Sequence, residues 1–212
     1  MAAYENNLKP AEIEKESMKF IKNNVDLTNF ANEELPIVKR IIHTTGDLEI
    51  GNDIAFSKEA VNKGVEALKN GCSIITDVNM VKTGIDKKRL SSFGGDVLCK
   101  VNDPETHKIS EDTGKTRSAS AMYTFDDFLN NQIIAIGNAP TALFAVLDMF
   151  NKKNITPALI IGVPVGFIGA KESKEALLNE NLSSITVQGF KGGSPIASAA
   201  VNALLRIASS KD

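Results

Sequence analysis

The sequence predicts a three-layer α/β/α fold built on a mainly parallel five-stranded sheet, with helices at its N-terminal end. Three observations carry that expectation. Short apolar runs at Cys72–Thr76, Val97–Val101, Ile133–Ile136, Ala158–Val163 and Ile185–Val187 are mostly continuous rather than alternating, as strands buried on both faces are. Helical stretches at Thr141–Phe150, Lys171–Asn179 and Pro195–Ala208 separate the later runs, giving βαβα alternation. Glycine and polar residues gather where the runs end, at Thr76-Asp77, Gly137-Asn138, Gly162–Gly166 and Gly189–Ser194. Ligands of open α/β sheets bind beyond the carboxyl ends of the strands, so a site is expected along that edge.

The helices of the N-terminal part, about residues 10–70, follow from apolar spacing and from their ends. Pro10 is suited to a first helical turn, where its missing N–H is not needed, and Ile13, Phe20 and Ile21 continue a helical pattern to about Asn24. Ile37, Val38, Ile41 and Ile42 mark a second helix over Glu33–Thr44, stopped by Gly46. Ala60, Val61, Val65 and Leu68 mark a third, after Ser57 and ending at Gly71. No low-complexity linker separates this part from the rest, and residues 1–212 read as one domain.

Composition excludes several classes of function. Of 212 residues, 42% are hydrophobic and 24% charged, an ordinary globular mixture, and the net charge of −2 offers no basic surplus for nucleic acid. Cys72 and Cys99 fall in apolar runs and read as buried free thiols; with only two histidines, His43 and His107, no metal site is expected. The N-terminal stretch lacks the pattern of a signal peptide and no segment is long and apolar enough to span a bilayer, so a cytoplasmic protein is expected.

His43 is the strongest candidate for chemistry. On a helical wheel at roughly 100° per residue the four apolar positions of its helix fall within about 140°, and Arg40 and His43 fall away from them. Three residues apart, these two are neighbours on one surface. The helix C-terminus favours an imidazolium and Arg40 opposes it, which suits a group that exchanges protons near neutral pH. The same residues also fit a plain surface histidine near a helix end. Ser17, polar on the apolar side of the first helix, fits a packing serine bonded to its own backbone. The junctions Asn138-Ala139-Pro140-Thr141 and Gly189–Pro195 lead from strand to helix; their free N–H groups suit a carboxylate or phosphate, or form simple capped turns.

Familiar motifs are missing. Gly114-Lys115-Thr116 resembles the end of a phosphate-binding loop, but the glycine required at position 109 is Ile109. No G-x-G-x-x-G follows an expected strand, and no G-x-S-x-G elbow is present. A nucleotide-dependent enzyme is therefore disfavoured.

Five stretches carry a resemblance: Val38–His43, Gly114–Ala119, Ala135–Phe144 (AIGNAPTALF), Gly162–Phe167 (GVPVGF) and Gly192-Gly193-Ser194. In these, and over about Ala11 to Ile207, the chain resembles the precorrin-8X methylmutase family. The resemblance implies a flavodoxin-like α/β domain, working as a homodimer with substrate near the subunit interface. It implies a tetrapyrrole substrate and an isomerisation in vitamin B12 biosynthesis that moves a methyl group from C11 to C12, yielding hydrogenobyrinate or its cobalt counterpart. No organic cofactor is implied, and cobalt, where present, arrives inside the substrate. Carried over by position, His43 matches the catalytic histidine, and Ser17 and Arg40 match substrate-binding positions. Arg117 lies in a matching stretch and is assigned to the substrate's carboxylates by inference. The rival expectation is a non-catalytic carrier of tetrapyrrole intermediates. Metal-free and cobalt-containing substrates both remain open.

Overall fold

The computed structural model describes residues 9–210. The first eight residues, part of the stretch read above as lacking a signal peptide, lie outside that range. Helices α1 (Pro10–Asn24), α2 (Leu35–Thr45) and α3 (Ala60–Lys69) form as the apolar spacing predicts. Pro10 opens α1, and Gly46, in the left-handed region at φ 64°, closes α2 by donating its N–H to Ile42 O.

The sheet has six strands, not five. Ahead of the expected β2 (Ile74–Thr76), β3 (Val97–Leu98), β4 (Ile133–Ile136), β5 (Leu159–Gly162) and β6 (Ser184–Val187), a short β1 (Ile54–Phe56) pairs antiparallel with β6. Three residues are too few to show a period, and their ladder partners lie some 130 residues away in sequence, beyond the reach of local pattern. The spatial order is β1-β6-β5-β4-β2-β3, with every pair from β6 to β3 parallel. Counted along the chain, the parallel strands alone run 2-1-3-4-5, the order of flavodoxin-like folds, with its switch point between β2 and β4.

Both faces of this sheet are covered. Ile133 and Ala135 point into one apolar cluster with residues of α2, α3 and α10 (Ser194–Ser209). Ile134 and Ile136 point into another with residues of α7 (Arg117–Tyr123), α8 (Pro140–Lys153) and α9 (Ala170–Asn179). The two-residue alternation of β4 thus feeds two cores, which is why its sequence reads as an unbroken apolar run.

Pro104–Thr113, where the sequence shows no helical pattern, is helix α6, opened by Pro104 and closed by Gly114 in the left-handed region. Thr106 is its one fully buried residue, so no apolar stripe announces it. Helices α4 (Asn79–Gly84) and α5 (Lys87–Ser91) were likewise too short to show a period. Cys72 is buried just before β2 and Cys99 is half-buried just after β3; both are free thiols, and burial pushes the Cys72 thiol up to about 11.

Candidate active site

His43 stands in the last turn of α2. Ile37, Val38, Ile41 and Ile42 on the other side of the helix are buried, which leaves the imidazole exposed. It lines a depression of about 680 Å³ between α1 and α2. Ser17, Phe20 and Ile21 come from α1, Ile42 and His43 from α2, and Gly46 and Leu48 from the turn that follows. Glu16, Lys19 and Asn23 of α1 add polar groups around an exposed surface that is more apolar than polar. Ser17 Oγ donates to Ile13 O at 2.8 Å, the backbone bond expected of it, and keeps its acceptor capacity toward the depression.

Arg40 does not share this depression. Its guanidinium is paired with the Glu14 carboxylate of α1, and Arg206 of α10 holds the same oxygen at 2.9 Å. These two arginines keep the Glu14 carboxyl far below its usual range, at about 2. Arg40 lines a smaller hollow with Thr44, Pro195, Ser198 and Arg206. Arg40 and His43, three residues apart on α2, thus line different hollows, Arg40 being turned to Glu14 of α1. Arg117 is more distant still. It is the first residue of α7, exposed, on the opposite face of the sheet from α2. Thr116 caps α7 by accepting from Ala119 N and shares a 2.7 Å hydroxyl–hydroxyl bond with Thr141, which sets Arg117 beside the start of α8.

The expected anion cradle at Gly137–Thr141 is already filled. Asp77, fully buried at the end of β2, accepts from the N–H groups of Gly137, Asn138 and Ala139 at 3.1, 2.9 and 2.7 Å. Burial pushes its carboxyl up and the three backbone donors oppose that push. An internal carboxylate therefore occupies the switch point where flavodoxin-like folds hold a ligand. The apolar run ending in Thr76-Asp77 was the sequence signal: an acid directly after a buried strand needs donors.

The second cradle, Gly189–Ser194, is open to the edge and close to α2. Lys191 Nζ reaches Asp47, directly after the α2 cap, at 2.7 Å. Gly192 is pressed against β5's end, where an added Cβ would lie 2.3 Å from Val163 O and 2.6 Å from Pro164 O. Only glycine fits there. Gly193 donates its N–H to Val163 O at 2.8 Å. This turn is tied to the depression bearing His43 through Asp47, which Lys191 holds and which lies between two lining residues, Gly46 and Leu48.

These features define an α/β protein of flavodoxin-like strand order whose candidate site is a histidine-bearing, largely apolar depression. The model of the precorrin-8X methylmutase family matches residues 12–207, and the chain belongs to that family. The cobalt-precorrin-8 methylmutase of Leptospira interrogans is 38% identical over 207 residues, covering 94% of both chains. The precorrin-8X methylmutase of Sinorhizobium sp. is 39% identical over 192 residues, covering 90% of this chain and 91% of that one. The crystal structure of the Thermus thermophilus precorrin-8X methylmutase superposes with a TM-score of 0.85 at 34% identity, covering 93% of this chain and 97% of that one.

Proposed function

We propose that the protein is an isomerase of cobalamin biosynthesis that moves a methyl group from C11 to C12 of precorrin-8X or cobalt-precorrin-8. The observation that carries this reading is the depression shared by His43 and Ser17. A flat macrocycle needs apolar walls, which Phe20, Ile21, Ile42 and Leu48 supply, and one proton donor placed at its nitrogens, which His43 supplies. In this reading His43 lends a proton or hydrogen bond to a ring nitrogen. The ring becomes electron-poor, the C11–methyl bond breaks as the C12–methyl bond forms in a 1,5-sigmatropic shift, and the proton returns. Mass and charge are unchanged. Acid–base help of this kind is worth roughly 10²–10⁴-fold in rate, and the remainder is positioning.

Ser17, Arg40 and Arg117 are the proposed substrate contacts. Arg40 keeps Glu14 and offers its remaining donors to a substrate carboxylate, since a guanidinium carries five N–H groups. Arg117, on the far face of the sheet, meets such a substrate over the C-terminal edge or from a second copy of the chain. A homodimer is part of the proposal, supported by exposed apolar residues on that edge: Phe167 is 81% and Ile168 90% accessible. The protein is further proposed to act in the cytoplasm without an organic cofactor, any cobalt being part of the substrate. No helix among the described residues is long and apolar enough to cross a membrane.

The test is anaerobic incubation with precorrin-8, with and without cobalt, followed by absorbance and mass spectrometry. A spectral change at constant mass, abolished in His43→Ala while product still binds, is the expected result. Binding of both forms without conversion would instead make the protein a tetrapyrrole carrier. Full turnover by His43→Ala would remove the histidine from the mechanism.

A further inference from the structure

Among the described residues Lys174 is the largest fully buried side chain, with 0% of its surface accessible. It lies on α9, on the face formed with Ala170, Ser173 and Leu177, positions whose spacing is that of an apolar helical stripe. An ammonium there is costly to desolvate, and burial draws its pKa down to about 8, against a weaker opposing pull from Asp53. Packing alone is served by a methionine of similar length. What the lysine adds is one directed bond: Nζ donates to Lys191 O at 2.7 Å.

Lys191 is held from two sides. Its carbonyl points inward to Lys174, while its own ammonium points outward to Asp47 at 2.7 Å and stands 4.0 Å from Asp53. The backbone on either side is tied to the β5–α9 turn: Gly166 N–H donates to Phe190 O at 3.2 Å, and Gly193 N–H to Val163 O at 2.8 Å. A chain of contacts therefore runs from the buried face of α9, through the Gly189–Gly193 turn, to Asp47, directly after the cap of the helix carrying His43.

We propose that Lys174 is a positioning residue for the active site, fixing the Gly189–Gly193 turn against the C-terminal end of α2 by holding the carbonyl of Lys191. The inference rests on the placement of the substrate beside His43. Through Lys191 and Asp47 the turn then holds Gly46 and Leu48 at the wall of the depression, and their placement sets how tightly the substrate is held without altering the proton transfer at His43. Such an interaction is the same in ground state and transition state, so its loss appears in KM and not in kcat.

The test is Lys174→Met in the full-length protein, with steady-state turnover of precorrin-8 and residue-resolved amide exchange. The expected result is a KM raised about 10-fold with kcat within about 2-fold. Exchange at Gly166 and Gly193, whose N–H groups bond across the turn, should rise by about 10-fold or more while β5 stays protected. Lys174→Arg, which keeps a cationic donor, should recover part of the KM. Unchanged exchange and unchanged KM would overturn the proposal, as would parallel losses of kcat and of protection throughout the sheet. Should the methionine variant not fold, Lys174→Gln, with a neutral amide too short to reach Lys191, carries the same expectations; failure of both to fold would make Lys174 a core requirement and overturn the positioning role. The placement of the site itself is tested separately: a fully active His43→Ala would sink that reading whatever the exchange at Gly193 shows.

Discussion

Glu14 sets the position of a helix with one carboxylate. Its oxygen accepts from Arg40 on α2 and Arg206 on α10, so α1 is clamped across both, and α1 supplies Ser17 and Phe20 to the depression of His43. The hydrogen bond from Arg40, then that from Arg206, lowers the carboxyl from 4.5 to about 2. Because the folded value is the lower one, the stabilisation is complete above the unfolded value of 4.5 and disappears as pH falls through about 2. The Glu14 side chain is 45% exposed, so solvent screens the clamp. It should contribute at most about 1 kcal/mol. Urea-unfolding curves of the wild type and Glu14→Gln should therefore differ at pH 6 and converge toward pH 2. A gap that persists unchanged at pH 2 would show that the substitution acts through packing and not through charge. Arg40→Ala should add little further loss of stability in the Glu14→Gln background, since the two substitutions remove one interaction.

Between elements, Asp77 joins the end of β2 to the β4–α8 turn. Its three backbone donors have no other acceptor assigned, and each buried donor left unpaired costs about 1–3 kcal/mol. Asp77→Ala should destabilise the protein by about 3 kcal/mol in urea unfolding, and Asp77→Asn, which keeps one acceptor oxygen, by less. A loss below about 1 kcal/mol for Asp77→Ala would mean that water replaces the carboxylate at little cost. The elements themselves were legible where their chemistry is local and repeated. The apolar runs of β4 and β5 and the stripes of α2 and α10 announce strands and helices because several residues report the same period. β1, α4 and α5 carry three to six residues each and report none. The charged α6 has no buried stripe to report, although Pro104 and Gly114 marked both its ends.

Over the whole molecule, the candidate site was legible only in parts, because the parts come from opposite layers. Helical geometry placed His43 on an exposed face, family resemblance added Ser17 and Arg40, and inference from a matching stretch added Arg117. Neither could show that Glu14 of α1 engages Arg40 away from the depression of His43, or that Arg117 stands across the sheet, since both facts depend on how distant helices pack. That separation, with an apolar patch at the sheet edge, argues for a second copy. Phe167 and Ile168 project from the β5–α9 turn with Phe190 beside them, its ring 5.7 Å from that of Phe167, and Val165 and Phe144 are also exposed. Large apolar patches of this kind on a soluble protein mark interaction surfaces. Light scattering should find the wild type dimeric and the double variant Phe167→Glu/Ile168→Glu monomeric, with an unchanged far-UV circular dichroism spectrum. If the partner completes the site, the monomer should bind product about 10-fold or more weaker and lose turnover, as removal of central interface anchors predicts. A monomeric variant with full turnover would show that each chain holds a complete site, and Arg117 would then have to reach the substrate over its own sheet edge. A monomeric wild type would remove the dimer from the proposal and leave the patch to another partner.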